Sequence, residues 1–160
     1  MVEYEYSFKV KDIQPFIAYC EEKGYIKEKD VEQIRILYKN NNGILARITT
    51  NEIEGKISKY LNFKEENESE QVLKVSQESP MLEIDENNRE FVESILKIFD
   101  FVKSKELKRK RYVYKKNNVT FEIDDYFKPE MKVVAIEGKK AEVDEIYNEI
   151  QDLYQKYKLE

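Results

Sequence analysis

The sequence predicts an α+β protein in which about eight mostly antiparallel strands close into a barrel with amphipathic helices outside it. Three observations predict it. Short segments of strict alternation between apolar and polar residues recur along the chain, as in VEYEYSF, ARIT and VTFEIDD. Asn-rich dipeptides at Asn42-Gly43 and Asn117-Asn118 separate β-rich runs, as hairpin turns do. Only three stretches carry apolar residues at helical spacing, and that many strands in 160 residues favour a closed barrel over an open sheet.

The elements follow in order. In the opening strand, Tyr4, Tyr6 and Phe8 share one face and Glu3, Glu5 and Ser7 the other. Asp12 is placed to cap a helix whose apolar stripe is Ile13, Phe16, Ile17 and Cys20, with Gly24 ending it. EQIRILYKNNNGILARITT makes a hairpin, and GKISKYLNFKEEN and EQVLKVSQES add two strands, the first lined by Ile57, Leu61 and Phe63. The strands stop around Pro80. A second helix carries Phe91, Ile95, Ile98, Phe99 and Val102 on one face. ELKRKRYVYKKNNVTFEIDDYF gives another hairpin and EMKVVAIEG a last strand. From Ala141 onward, Val143, Ile146, Tyr147, Ile150, Leu153 and Tyr157 mark a single closing helix. No repeat or linker divides the chain, so residues 1–160 form one domain.

Composition narrows the chemistry. There is no histidine, which removes Ser-His and Cys-His nucleophile pairs and the usual zinc sites. Metal chemistry here has to use carboxylates, which select hard ions such as Mg²⁺ or Mn²⁺. A formal net charge of -5 argues against generic binding to nucleic acid or an anionic membrane. The basic run KSKELKRKR is expected to be a solvated face. With no bilayer-spanning run or signal-peptide pattern, and one cysteine that has no internal partner, the expected compartment is the cytoplasm. Cys20, on an apolar stripe, is expected in the core.

Face parity raises the functional question. Glu3 with Glu5, Arg109 with Arg111, and Glu122 with Asp124 each share a strand face, while Phe121 and Ile123 point the other way. Same-face carboxylates one pleat repeat apart, about 7 Å, repel unless cations or solvent lie between them. Either the charged faces meet water around an apolar barrel, or they line the lumen while the apolar faces lie under the helices. Periodicity alone leaves both open.

The order of short motifs resembles the CYTH superfamily, the triphosphate tunnel metalloenzymes that include class IV adenylate cyclases and thiamine triphosphatases. The motifs are an N-terminal Glu-x-Glu, the Arg of ARIT, the Lys of NFKEE, the Glu of VSQES, the basic pair of KRKRYVY, the Asp of FEIDDY and the Glu of VAIEG. The resemblance spans nearly the whole chain, and its specificity lies in the order of the motifs. It implies a closed eight-stranded antiparallel β-tunnel with a charged interior, binding a small-molecule triphosphate with Mg²⁺ or Mn²⁺, as monomer or homodimer. Carried over by position, Glu3, Glu5 and Glu137 match metal-holding catalytic carboxylates, with Asp124 a further metal candidate. Arg47, Lys64, Arg109 and Arg111 match phosphate-gripping residues, Glu78 and Asp124 further acidic tunnel positions, and Lys74 another phosphate contact.

Three departures from the family pattern bear on turnover. Ser7 stands where the signature has Lys, Thr49 where it has a second Arg, and Ala135 where it has a first Glu. Each lost charge-assisted contact costs roughly 1.5–3 kcal/mol of binding unless neighbours such as Lys9, Lys59 or Lys110 compensate. The resemblance therefore implies a metal-dependent phosphohydrolase on tripolyphosphate, thiamine triphosphate or a nucleoside triphosphate. The alternatives are a binding protein with weak or no turnover and a class IV-type adenylate cyclase, for whose adenine pocket no motif is visible.

Overall fold

The computed structural model describes residues 2–66 and 72–159. Its elements are β1 (Val2–Lys9), α1 (Gln14–Glu22), β2 (Ile26–Lys27), β3 (Val31–Lys39), β4 (Ile44–Ile53), β5 (Lys56–Glu65), β6 (Leu73–Gln77) and β7 (Leu82–Glu83), then α2 (Arg89–Ile98), β8 (Val102–Lys116), β9 (Val119–Lys128), β10 (Glu130–Gly138), α3 (Lys140–Glu149) and α4 (Gln151–Tyr157). The ends of the expected strands at Asn67, Glu70 and Gln71 lie outside the described residues.

Local chemistry sets most boundaries. The Asp12 carboxylate accepts the Gln14 N–H at 2.9 Å, Pro15 occupies the first turn of α1, and Gly24 takes a φ of 79° after it. Gly43, at φ 70°, turns β3 into β4 where the Asn-Gly pair predicts. Asn117, at φ 56°, turns β8 into β9. Between β4 and β5 two successive residues, Glu54 and Gly55, have positive φ, as a tight two-residue hairpin demands.

The strands pair in the order β6-β1-β10-β9-β8-β3-β4-β5-β7, all antiparallel, with β2 added to β8. This is a curled α+β sheet, and the expected closure into a barrel does not occur. The reason lies at residues 73–84. β6 follows β1 for only five residues, and the chain then crosses to the other edge, where β7 pairs with Tyr60 and Leu61 of β5. The two edges meet at one bridge, Lys64 with Glu78, backed by the Ser79 N–H donating to the Phe63 carbonyl at 2.9 Å. Pro80, which has no N–H, follows at once, so no ladder extends from that bridge.

Apolar faces point outward, under the helices. Phe121, Ile123, Val134 and Ile136 of β9 and β10 are fully buried with Phe8, Phe16, Cys20, Val143 and Ile150. Each such large side chain contributes about 1.5–3 kcal/mol. Aromatic packing knits this layer: Tyr6 stacks on Tyr147 at 4.1 Å, and Phe8 meets Tyr154 edge-on at 4.7 Å. Cys20 is in this core, and burial pushes its thiol up to about 12. A smaller cluster seats Val92 and Leu96 of α2 on Ala46 and Leu61.

Two helical expectations are corrected. α2 buries Val92 and Leu96, while Phe91, Ile98, Phe99 and Val102 are exposed. Phe91, Val92, Ile95, Leu96 and Ile98 share one broad apolar side of α2, and the sheet covers only its Val92–Leu96 edge, so spacing identifies the apolar side without telling which edge is seated. The closing helix is two, broken at the buried Ile150. The break turns α4 so that its end fastens to the end of β1, where Val10 bridges Lys158 and the Leu159 N–H donates to the Lys9 carbonyl. Ile57, expected to line β5 with Leu61 and Phe63, is exposed, and the region after Pro80 contains the short β7.

Candidate functional site

The inner faces of the strands enclose a cavity of about 390 Å³. Its lining includes Glu3, Glu5 and Ser7 of β1, Arg35 of β3, Arg47 of β4, Lys64 of β5, Glu78, Arg109 and Arg111 of β8, Glu122, Asp124 and Tyr126 of β9, and Val133, Ala135 and Glu137 of β10. The choice between a solvated and a lumenal charged face is thereby decided: Arg47, Arg109 and Asp124 are 7%, 4% and 2% exposed. Pairing explains the convergence. Strand partners directly opposite each other point the same way, so Glu5 beside Glu137 and Arg111 beside Asp124 enter the lumen together.

The charges form interlocked groups. Arg111 grips Asp124 with two bonds of 2.8 and 3.0 Å and donates to Glu122 at 2.7 Å, the fork geometry that suits guanidinium to carboxylate. Burial lowers the Arg111 pKa, but Glu122 and Asp124 outweigh it and hold the group firmly charged. Arg109 donates to Gln33 and Tyr126 and lies 3.5 Å from Asp124. Arg47 donates to Asn62 at 3.0 Å and to Glu78. Lys64 sits 3.9 Å from both Glu5 and Glu78.

Two carboxyl pairs shift each other's pKa values in opposite directions. Burial, then the charge and hydrogen bond of Glu122, push Glu137 up to about 10. Glu122 is held down to about 2 chiefly by Arg111, against the upward push of its own burial. Across the cavity, burial and the Glu78 carboxylate raise Glu3 to about 7, while Arg47 and Lys64 keep Glu78 below its ordinary value against its own burial. In each pair a raised carboxyl sits beside a lowered one.

The expected site residues Glu3, Glu5, Glu137, Arg47, Lys64, Glu78, Arg109, Arg111 and Asp124 all line this cavity. Lys74 does not. It lies opposite Glu5 on the inner-facing parity of β6, yet it is outside the cavity lining. Asp124, a candidate metal ligand, is engaged by two arginines. Ser7, Thr49 and Ala135 are all inward, so the departures at these positions fall inside the site. Lys9, Lys59 and Lys110 do not line it and cannot restore the lost charge; Lys110 instead faces Asp30 at 3.8 Å.

The lumen also holds residues that motif order does not single out. Arg35 lies directly opposite Thr49 in the β3–β4 hairpin and donates to its hydroxyl at 3.0 Å. Counting back from the Asn42-Gly43 turn would have found it. Unlike the other three lumenal arginines, it makes no ion pair among the described residues. Burial, then Arg109, Arg47 and Arg111, push its pKa well below the usual arginine range. Gln33, Asn62 and Tyr126 orient the other arginines, a role without a sequence signature.

The donor set suits a hard divalent cation by chemistry and by charge. Every acidic donor is an oxygen, and the lining carries six carboxylates against five basic groups. The lumen thus has no surplus of positive charge with which to neutralise a polyanion. Glu137 beside Glu122 brings two carboxyl groups together where a cation could be held. As they stand, no three acidic side chains among the described residues are gathered as a finished metal site. No helix among the described residues is long and apolar enough to cross a membrane.

Comparison with known proteins places the fold. No family model matches the sequence, and no curated protein matches it significantly. Among solved structures, the PH1012 protein of Pyrococcus horikoshii OT3 is similar at TM-score 0.69 and 22% identity, over 96% of this chain and 88% of that one. A chain in the Mediator head module of Schizosaccharomyces pombe is similar at TM-score 0.67 and 12% identity, over 95% and 96%. A candidate adenylate cyclase from Vibrio parahaemolyticus is similar at TM-score 0.63 and 12% identity, over 97% and 87%. At these identities the likeness is one of fold alone.

Proposed function

We propose that the lumen binds a small-molecule triphosphate together with Mg²⁺ or Mn²⁺ and hydrolyses its terminal phosphoanhydride bond. The observation that carries this reading is the convergence of Arg35, Arg47, Lys64, Arg109 and Arg111, from four strands, on one cavity opposite Glu3, Glu5 and Glu137. A linear polyanion needs donors spread along its length, and arginine supplies them in fork geometry. Arg35 answers the departure at Thr49: the second arginine charge enters from the neighbouring strand and is held by the threonine that stands in its place. Glu3, Glu5 and Glu137 are the residues that would hold the cation, with Glu122 beside Glu137. When bound, it would polarise the phosphoryl oxygens and offset their charge.

The chain's own residues supply the rest. Arg47, Lys64, Arg109 and Arg111 fix the phosphate chain, and the Arg111 fork to Asp124 and Glu122 keeps that guanidinium aimed inward. Water attacks the terminal phosphorus, the bond to the bridging oxygen breaks, the shorter polyphosphate leaves, and the water's proton passes to solvent or phosphate.

Ser7 and Ala135 favour a second reading, a tunnel that binds triphosphate with little turnover. A cyclase, as the Vibrio likeness suggests at the level of fold, would need a base platform, and Tyr126, the lining aromatic, already accepts from Arg109. Phosphate release from tripolyphosphate, thiamine triphosphate and ATP, with Mg²⁺ or Mn²⁺, separates these readings. Hydrolysis predicts multiple turnovers that disappear in a Glu3→Gln/Glu5→Gln variant. Binding without release supports the second reading, and pyrophosphate with a cyclic nucleotide from ATP the third.

A further inference from the structure

We infer that the exposed apolar face of α2 is a homodimer contact in which α2 packs antiparallel against α2 of a second copy. Within nine residues, Phe91, Ile98 and Phe99 are 63%, 72% and 59% exposed, with Ile95 half-buried among them. Phe91, Ile95 and Ile98 form one stripe along the helix, beside the Val92 and Leu96 face that seats it on the sheet. Phe91 and Ile98, with Phe99 at the C-terminal cap, present roughly 350 Å² of apolar surface, within the range for the largest patch on a monomer.

The flank of the stripe indicates what covers it. Glu90 and Lys97 are exposed, lie seven residues and thus nearly two turns apart on the same side, and make no ion pair among the described residues. A two-fold axis near Ser94 reverses one helix against the other. It sets Glu90 of each copy beside Lys97 of its mate, and Phe91 beside Ile98. Ser94 is small, and its hydroxyl already donates to the Phe91 carbonyl at 2.8 Å, so the helices can approach there without stranding a polar group. One helix supplies both halves of this complementarity, as an isologous contact requires. Two such faces bury roughly 700 Å² in total, below the usual size of a stable specific interface, so the dimer is weak and reversible.

Sedimentation velocity on the full chain, from low micromolar to near-millimolar concentration, tests this. The weight-average mass should rise from 19.3 kDa toward twice that value. Phe91→Ser/Ile98→Ser, at exposed positions, should hold the chain at the monomer mass. Glu90→Lys should weaken association roughly tenfold, because two symmetry-related pairs turn repulsive, and Glu90→Lys/Lys97→Glu should restore it. A chain that stays monomeric at the highest concentration overturns the inference and leaves the face to a different partner. So does a dimer indifferent to these substitutions.

Discussion

Arg35 and Thr49 show how a single rung of a sheet can move a charge from one strand to the next. The two residues are opposite one another, the guanidinium donates to the hydroxyl, and the lumen keeps an arginine at that level although the motif position holds threonine. Arg35→Gln should leave the fold intact and lower tripolyphosphate affinity about tenfold by calorimetry, near the low end of a charge-assisted contact. Arg111 behaves differently because it also holds the protein together. Arg111→Met strands Glu122 and Asp124 in the lumen, where the Arg111 charge keeps Glu122 ionised. Denaturant unfolding at pH 7 should show a loss of about 3–5 kcal/mol, part of which Asp124→Asn in the same chain recovers. Motif order identified Arg111 and Asp124 individually; their fork emerges only when β8 and β9 are laid side by side.

At the scale of elements, hairpins were the most legible features, since Asn42-Gly43 and Asn117-Asn118 each impose a backbone conformation that few other residues accept. Helix faces were less so: the apolar side of α2 is broader than the strip the sheet covers, so spacing does not tell which edge is seated, and the α3–α4 break falls at the buried Ile150 with no breaker residue there. The helices docked on the sheet also set an alkaline limit to stability. Burial, then Asp144, raises the Tyr6 hydroxyl to about 12; burial raises Tyr25 and Tyr114 to about 12 as well. Unfolded tyrosine titrates at about 10. The folded state therefore keeps these protons longer, so their contribution is complete below pH 10 and is lost as pH rises toward 12. Denaturant midpoints should be flat from pH 8 to about 9.5 and fall steeply above it, and Tyr6→Phe should soften the fall by removing one titrating group.

At the scale of the molecule, the fold inverts the usual barrel, with charge inside and apolar faces under a layer of helices. Alternation alone could not reveal that inversion, because it is the same whichever face is wet. It became legible only through the order of the motifs and the need of three amphipathic helices for an apolar surface. The open seam between β5 and β6 was not legible, since it depends on where the chain leaves β1 and crosses at Glu78. The central claim is that the lumen is a metal-assisted triphosphate site. The most direct test is diffraction from crystals soaked in Mn²⁺ and tripolyphosphate, using the anomalous signal of manganese. A manganese peak at Glu3, Glu5 and Glu137 with phosphate density against Arg35, Arg47 and Arg111 is the expected result. Well-ordered crystals with a lumen free of both, or with both bound on the outer surface, would contradict it.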